Sequence, residues 1–150
     1  MKTLILGLGN PILTDDAVGI EVVKKIAEKN HFTDVEIREA SLTGLSILDE
    51  IDGFDRVIIV DSIKTGKKKP GTIMKLDRDK FNTTTQLSYS HGIDYFTAIE
   101  LGRRCGVRIP ELIEIYAVEI EDNLTFSEDC TPNVKGSIPV LAELIIGRVG

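Results

Sequence analysis

The stretch Thr3-Leu4-Ile5-Leu6-Gly7-Leu8-Gly9-Asn10-Pro11-Ile12-Leu13-Thr14-Asp15-Asp16-Ala17-Val18 decides the fold. Its first six residues form a short, almost wholly apolar run bounded by glycine, the pattern of a strand buried on both faces. Asp15-Asp16 then open a helix in which Val18, Val22, Val23, Ile26 and Ala27 recur at helical spacing. Adjacent acids suit the positive N-terminal end of a helix dipole. A buried strand feeding an amphipathic helix is the first half of a strand–helix–strand unit.

The alternation continues outward from that stretch. Val35–Ala40 alternates as a strand, and Leu45, Leu48 and Ile51 form one face of a short helix. Residues 56–61, Arg-Val-Ile-Ile-Val-Asp, make the strongest core strand, which ends in the Asp61 carboxylate. Residues 64–71 read as a turn and 72–76 as a strand. A polar loop over 77–90 leads to His91 and a helix through about Arg104. Leu112–Glu119 is a further strand and 134–148 a closing helix. Strands and helices in this order predict an α/β fold, a mostly parallel twisted sheet covered on both faces. Ligands of such sheets bind outside the carboxyl ends of the strands. That rule selects the loop over 9–16, Asp61, and whatever loop folds over them.

With 150 residues the chain suits a single domain, 1–150, and shows no repeat, linker or low-complexity tract. Apolar residues are 42% and charged residues 28%, which excludes wholesale disorder. No apolar run reaches the length of a membrane span, and the opening run falls short of a secretory core, so no membrane association is expected and a cytoplasmic location is. Eighteen basic against 24 acidic residues give a net charge of −6, which speaks against a nucleic-acid partner. Cys105 and Cys130 lack the spacing of a zinc ribbon or redox pair and read as reduced packing residues.

Each motif has a bland reading beside a functional one. Gly7-Leu8-Gly9 begins like a dinucleotide fingerprint, but Ile12 stands where the third glycine belongs and Pro11 removes an N–H. The glycines then simply let the strand end in a tight turn. Asp15 reads as a helix cap, leaving Asp16 either to join the dipole or to point into the cleft as a ligand. A carboxylate at the end of the Val-Ile-Ile-Val run, Asp61, is costly to desolvate unless a cation or donor meets it. His91, one of two histidines, is a solvated cap or a ligand. Two carboxylates and an imidazole suit nickel, zinc, manganese or iron. Lys64, Lys67, Lys68 and Lys69 read as a solvated tip, or as a grip on an acidic partner.

Taken together, residues 9–19 (Gly-Asn-Pro-Ile-Leu-Thr-Asp-Asp-Ala-Val-Gly), Ile58-Ile59-Val60-Asp61-Ser62 and Ser90-His91 closely resemble the NiFe-hydrogenase maturation endopeptidase family, in order over most of the chain. The resemblance implies a three-layer α/β/α fold, phosphorylase/hydrolase-like, and a hydrolase of the aspartic or metal-dependent type. Its substrate would be a NiFe-hydrogenase large-subunit precursor, from which a C-terminal extension is removed after nickel insertion. Asp16, Asp61 and His91 would be the metal-binding positions, Asp16 and Asp61 the catalytic ones, and Asn10, Thr43 and Gly44 substrate-binding. Nickel would be carried by the precursor, with zinc, cadmium or another divalent ion able to substitute. A monomer is favoured. The chain departs from the family where an Asp-Gly-Gly-Thr stretch often follows the second strand; here Glu39-Ala40-Ser41-Leu42 stands, with Thr43-Gly44 after it. Peptidyl-tRNA hydrolase shares the opening Gly7 to Pro11 but lacks a counterpart of its Thr-Arg-His-Asn block here. A non-catalytic, metal-dependent maturation chaperone is the remaining alternative.

Overall fold

A computed structural model describes residues 1–29, 32–41, 46–76 and 95–149. Among the described residues five strands form one sheet: β1 (Thr3–Leu8), β2 (Val35–Ala40), β3 (Arg56–Ile63), β4 (Ile73–Leu76) and β5 (Leu112–Glu119), in the order β2-β1-β3-β5-β4. The pairs β1–β2, β1–β3 and β3–β5 are parallel, and only β4 runs antiparallel, along β5 at the edge. The sheet is mostly parallel, as the sequence implies.

Alternate residues of each strand supply two cores. On one face Ile5, Ile58, Val60 and Val118 pack against α1 (Val18–Lys29) and α4 (Pro132–Val149) through Val22, Ile26, Leu141 and Ile145. On the other, Leu4, Leu6, Val57, Ile59 and Ile115 meet α2 (Ile47–Ile51) and α3 (Tyr95–Arg104) through Ile47, Ile51, Tyr95 and Ile99. These are the three α/β/α layers. Parallel strands covered on both faces have no room for alternating polar residues, and β1 is buried at every position.

Gly19 sets how closely α1 approaches the sheet. A Cβ there would lie 2.3 Å from the Val60 carbonyl oxygen and 2.5 Å from that of Leu8. Only a residue without a side chain lets the helix start this near the ends of β1 and β3.

Several local expectations shift. Asp15-Asp16 lie in a short 3-10 turn, Thr14–Ala17, and α1 begins only at Val18. Ala27 is exposed rather than part of the buried stripe, which is Val18, Val22, Val23 and Ile26 with Ile20. The buried face of α2 is Ile47 and Ile51, with Leu48 half-buried, while Leu45 lies outside the described residues. Asp61 does not end its strand: pairing with β5 continues through Ser62↔Val118 and Ile63↔Glu119. The described part of helix α3 is Tyr95–Arg104, and the start expected near His91 lies outside the described residues.

Candidate active site

The chain leaves β1 for β2 on one side and later returns to β3 on the other. The carboxyl ends of β1 and β3 therefore flank the point where the strand order reverses, the usual ligand crevice of an open α/β sheet. The turn out of β1 depends on Gly9. Its φ of 151° is one that glycine alone adopts readily, and a Cβ there would lie 2.0 Å from the Asp16 carbonyl oxygen. The glycine lets the 3-10 turn fold back across the strand end and deliver Asp16 to it.

Asp16 is 3% exposed and Asp61 fully buried. Asp16 accepts the Asn10 N–H on Oδ2 at 3.1 Å and the Ser62 hydroxyl on Oδ1 at 2.8 Å. Asp61 accepts the Ser62 N–H on Oδ1 at 2.7 Å and the Tyr95 hydroxyl on Oδ2 at 2.7 Å. Successive strand residues point to opposite faces, so Asp61 turns towards α3 while the Ser62 side chain turns towards the 3-10 turn. Ser62 thereby touches both carboxylates, one with its hydroxyl and one with its backbone.

Burial pushes the Asp61 carboxyl up to about 8, against the pull of the Tyr95 and Ser62 donors, and the nearby Asp16 pushes the same way. The Tyr95 phenol is raised as well, first by burial and then by the Asp61 charge beside it. A cation entering here would relieve both desolvation and mutual repulsion. The donor chemistry of the pair therefore fits a divalent ion. Among the described residues no group of three or more His, Cys, Asp or Glu is arranged to hold one. His91, the expected third ligand, lies outside the described residues, as do Thr43 and Gly44.

Asn10 is fixed at the turn. Its N–H holds Asp16, and its side-chain Oδ1 accepts the Ile12 N–H at 3.1 Å. Asp15 corrects the capping expectation, since the 3-10 turn has Leu13 at its N-cap position and no side-chain cap bond. Fully buried, Asp15 instead accepts the N–H groups of Glu121 at 3.0 Å, Asp122 at 2.9 Å and Thr131 at 2.7 Å, together with the Thr131 hydroxyl at 2.9 Å. It fastens the loop after β5 and the start of α4 to the site. Glu119, 1% exposed, fastens a second loop by accepting the Thr65 N–H at 2.8 Å and the Gly66 N–H at 3.2 Å. Lys67, Lys68 and Lys69 on that loop are exposed.

The sequence reading passes over Tyr95 and gives Ser62 no role of its own. The available signals were modest: a phenol four residues after His91, and a hydroxyl next to a carboxylate at a strand's carboxyl end.

The chain resembles known proteins over nearly its whole length. A family model described as hydrogenase maturation protease matches residues 20–148. The chain is 38% identical over 151 residues to the hydrogenase 2 maturation protease of Escherichia coli K12, covering 99% of this chain and 91% of that one. It is 25% identical over 149 residues to the hydrogenase expression/formation protein HupD of Rhizobium leguminosarum bv. viciae, covering 97% and 72%. The solved structure of the hydrogenase maturating endopeptidase HybD from E. coli matches with a TM-score of 0.82 at 28% identity, over 99% of this chain and 92% of that one.

Proposed function

The chain belongs to the hydrogenase maturation protease family, and from that premise we propose that it removes the C-terminal extension of a NiFe-hydrogenase large-subunit precursor once nickel has been inserted. The observation that carries this reading is the pair of buried carboxylates, Asp16 and Asp61, joined through Ser62 at the carboxyl edge of β1 and β3. Membership of a protease family sets aside the peptidyl-tRNA hydrolase reading of Gly7 to Pro11.

Nickel is here part of the substrate, held by the precursor and gripped by Asp16, Asp61 and His91; zinc, cadmium or another divalent ion could take its place in that donor set. Asp61 supports the selectivity. With no cation near, its carboxyl is held largely protonated by burial, since its proton comes off only around pH 8. A loaded precursor brings positive charge that favours the carboxylate, and the Asp61 proton leaves as the substrate seats. An unloaded precursor meets a neutral acid and gains no such grip.

Cleavage is then hydrolytic. The bound ion supplies Lewis-acid polarisation when present. Asp16, fixed by Asn10 and Ser62, takes the proton of the attacking water and returns it to the leaving amine. Asn10, Thr43 and Gly44 are the substrate-binding positions that the family resemblance implies.

The test is to incubate the protein with purified precursor, nickel-loaded and nickel-free, and follow both by mass spectrometry. Release of one C-terminal peptide from the loaded form alone is the expected result. Loaded precursor that stays intact refutes proteolysis, and tight binding without cleavage would favour a maturation chaperone.

A further inference from the structure

Ile12, Leu124 and Phe126 are 47%, 80% and 79% exposed, on two segments whose backbones are hydrogen-bonded to each other just ahead of Asp16 in the chain. Large apolar side chains grouped on a surface mark a place where something binds. These are presented on fixed backbone. Ser127 N–H donates to the Ile12 carbonyl at 2.9 Å, and Thr14 N–H donates to the Ser127 carbonyl at 3.0 Å. Asp122 Oδ1 accepts the N–H groups of Leu124 at 2.9 Å and Thr125 at 3.0 Å. Thr14, two residues before Asp16, is held at φ 48°, a strained value for a β-branched residue. The loop that displays Leu124 and Phe126 is thus paired to the segment that delivers Asp16.

The loop that carries Leu124 and Phe126 is itself acidic, with Lys64 reaching it from the neighbouring loop to donate to Asn123 Oδ1 at 3.3 Å. Between 121 and 129 lie four acids, Glu121, Asp122, Glu128 and Asp129, and no lysine or arginine. Glu121, Glu128 and Asp129 are exposed.

We propose that Ile12, Leu124 and Phe126 form the docking surface for an apolar segment of the precursor polypeptide that is flanked by lysine or arginine. This rests on the proteolytic reading above, because the loop is hydrogen-bonded to residues 12–14, which lead directly into Asp16. The acidic rim selects the flanking charge by repelling acids and attracting bases. A second copy of this chain is a poor occupant, because a two-fold contact would set the same acidic rim against itself.

The experiment uses the full chain, nickel-loaded precursor and two variants, Leu124→Ser/Phe126→Ser and Glu128→Lys/Asp129→Lys. Processing kinetics and affinity for immobilised precursor are measured on each preparation, with thermal unfolding and sedimentation as controls. Losing an aromatic anchor at the centre of an interface weakens binding about tenfold or more. We therefore expect the apolar variant to raise KM and Kd about tenfold, with kcat within about twofold and an unchanged unfolding midpoint. The charge-reversed variant should associate more slowly and lose the salt dependence of association. If the parent processes precursor and the apolar variant keeps its KM and Kd, or loses only kcat, the docking surface is refuted and the proteolytic reading stands. A parent that neither binds nor cuts precursor overturns both. A parental dimer that the apolar variant dissociates shows a second copy to be the occupant and also overturns the proposal.

Discussion

Replacing Asp61 by asparagine separates the charge of this residue from its shape. The folded protein raises the Asp61 carboxyl to about 8 from 3.8, with burial as the main cause. Folding therefore holds an extra proton between about pH 4 and pH 8, and stability falls as pH rises through that window. The penalty is absent below about pH 4, grows by about 1.4 kcal/mol per pH unit, and is complete above about pH 8. Four units of difference set a ceiling of about 6 kcal/mol, and water entering on ionisation reduces the working figure to about 2–4 kcal/mol. Asparagine does not titrate and reproduces the neutral acid: Oδ1 can accept the Ser62 N–H, and Nδ2 can donate to the Tyr95 oxygen in place of the bond that Asp61 accepts.

Asp61→Asn should therefore match the parent within about 1 kcal/mol at pH 5 and exceed it by about 2–4 kcal/mol at pH 8. At about 2–4 °C per kcal/mol for a domain of this size, the unfolding midpoint rises by roughly 5–15 °C at the alkaline end. Unfolding is followed in chelator from pH 5 to pH 8, and again with added nickel, which should stabilise the parent and leave the variant unmoved. Parent and variant curves that run parallel across this range would show that Asp61 does not hold its proton on folding, and the reasoning from burial would fail.

Three further substitutions test the surroundings. Tyr95→Phe removes a donor that favours the Asp61 carboxylate, so divalent binding followed by calorimetry should need a pH higher by about 0.5–1 unit. Asp15→Ala removes the acceptor of three N–H groups and the Thr131 hydroxyl at a half-buried place, a loss of about 2 kcal/mol by urea unfolding. Gly19→Ala drives a methyl group into the Val60 and Leu8 carbonyls, so it should cost about 3 kcal/mol or more in thermal unfolding and weaken precursor processing by displacing the 3-10 turn.

Much of the sheet was legible because buried parallel strands announce themselves. Thr3–Leu8, Val35–Ala40 and Leu112–Glu119 carry the same bounds in sequence pattern and in structure. The carboxyl end of β3 was not legible. An apolar pattern stops at the first charge, whereas the ladder to β5 depends on backbone groups and runs on past Asp61. Position at the crevice could be read for Asp16 and Asp61, since strand order follows from the alternation of elements. Their partners could not. Tyr95 meets Asp61 across 34 residues, and the donors to Asp15 lie more than 100 residues away. No local pattern records contacts of that range. The acidic pair at 15 and 16 looked like a helix start, and the helix dipole would have rewarded it equally well.

Two identical neighbours in sequence do different work here, and geometry is the reason. In a 3-10 turn successive side chains are about 120° apart, so when Asp16 faces the ends of β1 and β3, Asp15 must face elsewhere. It faces the loop after β5, where four protein donors satisfy its charge. Asp61, by contrast, has two donors and a raised proton affinity. A carboxylate whose charge is fully met by the protein is a fastener. A buried carboxyl whose charge is not met by the protein is one that an incoming cation can still stabilise. Loss of processing on mutating Asp15 would therefore say nothing of chemistry until stability had been measured. At Asp61, loss of processing together with a gain in stability assigns the residue to the reaction, since a purely structural group does not become dispensable to the fold while remaining essential to the cut.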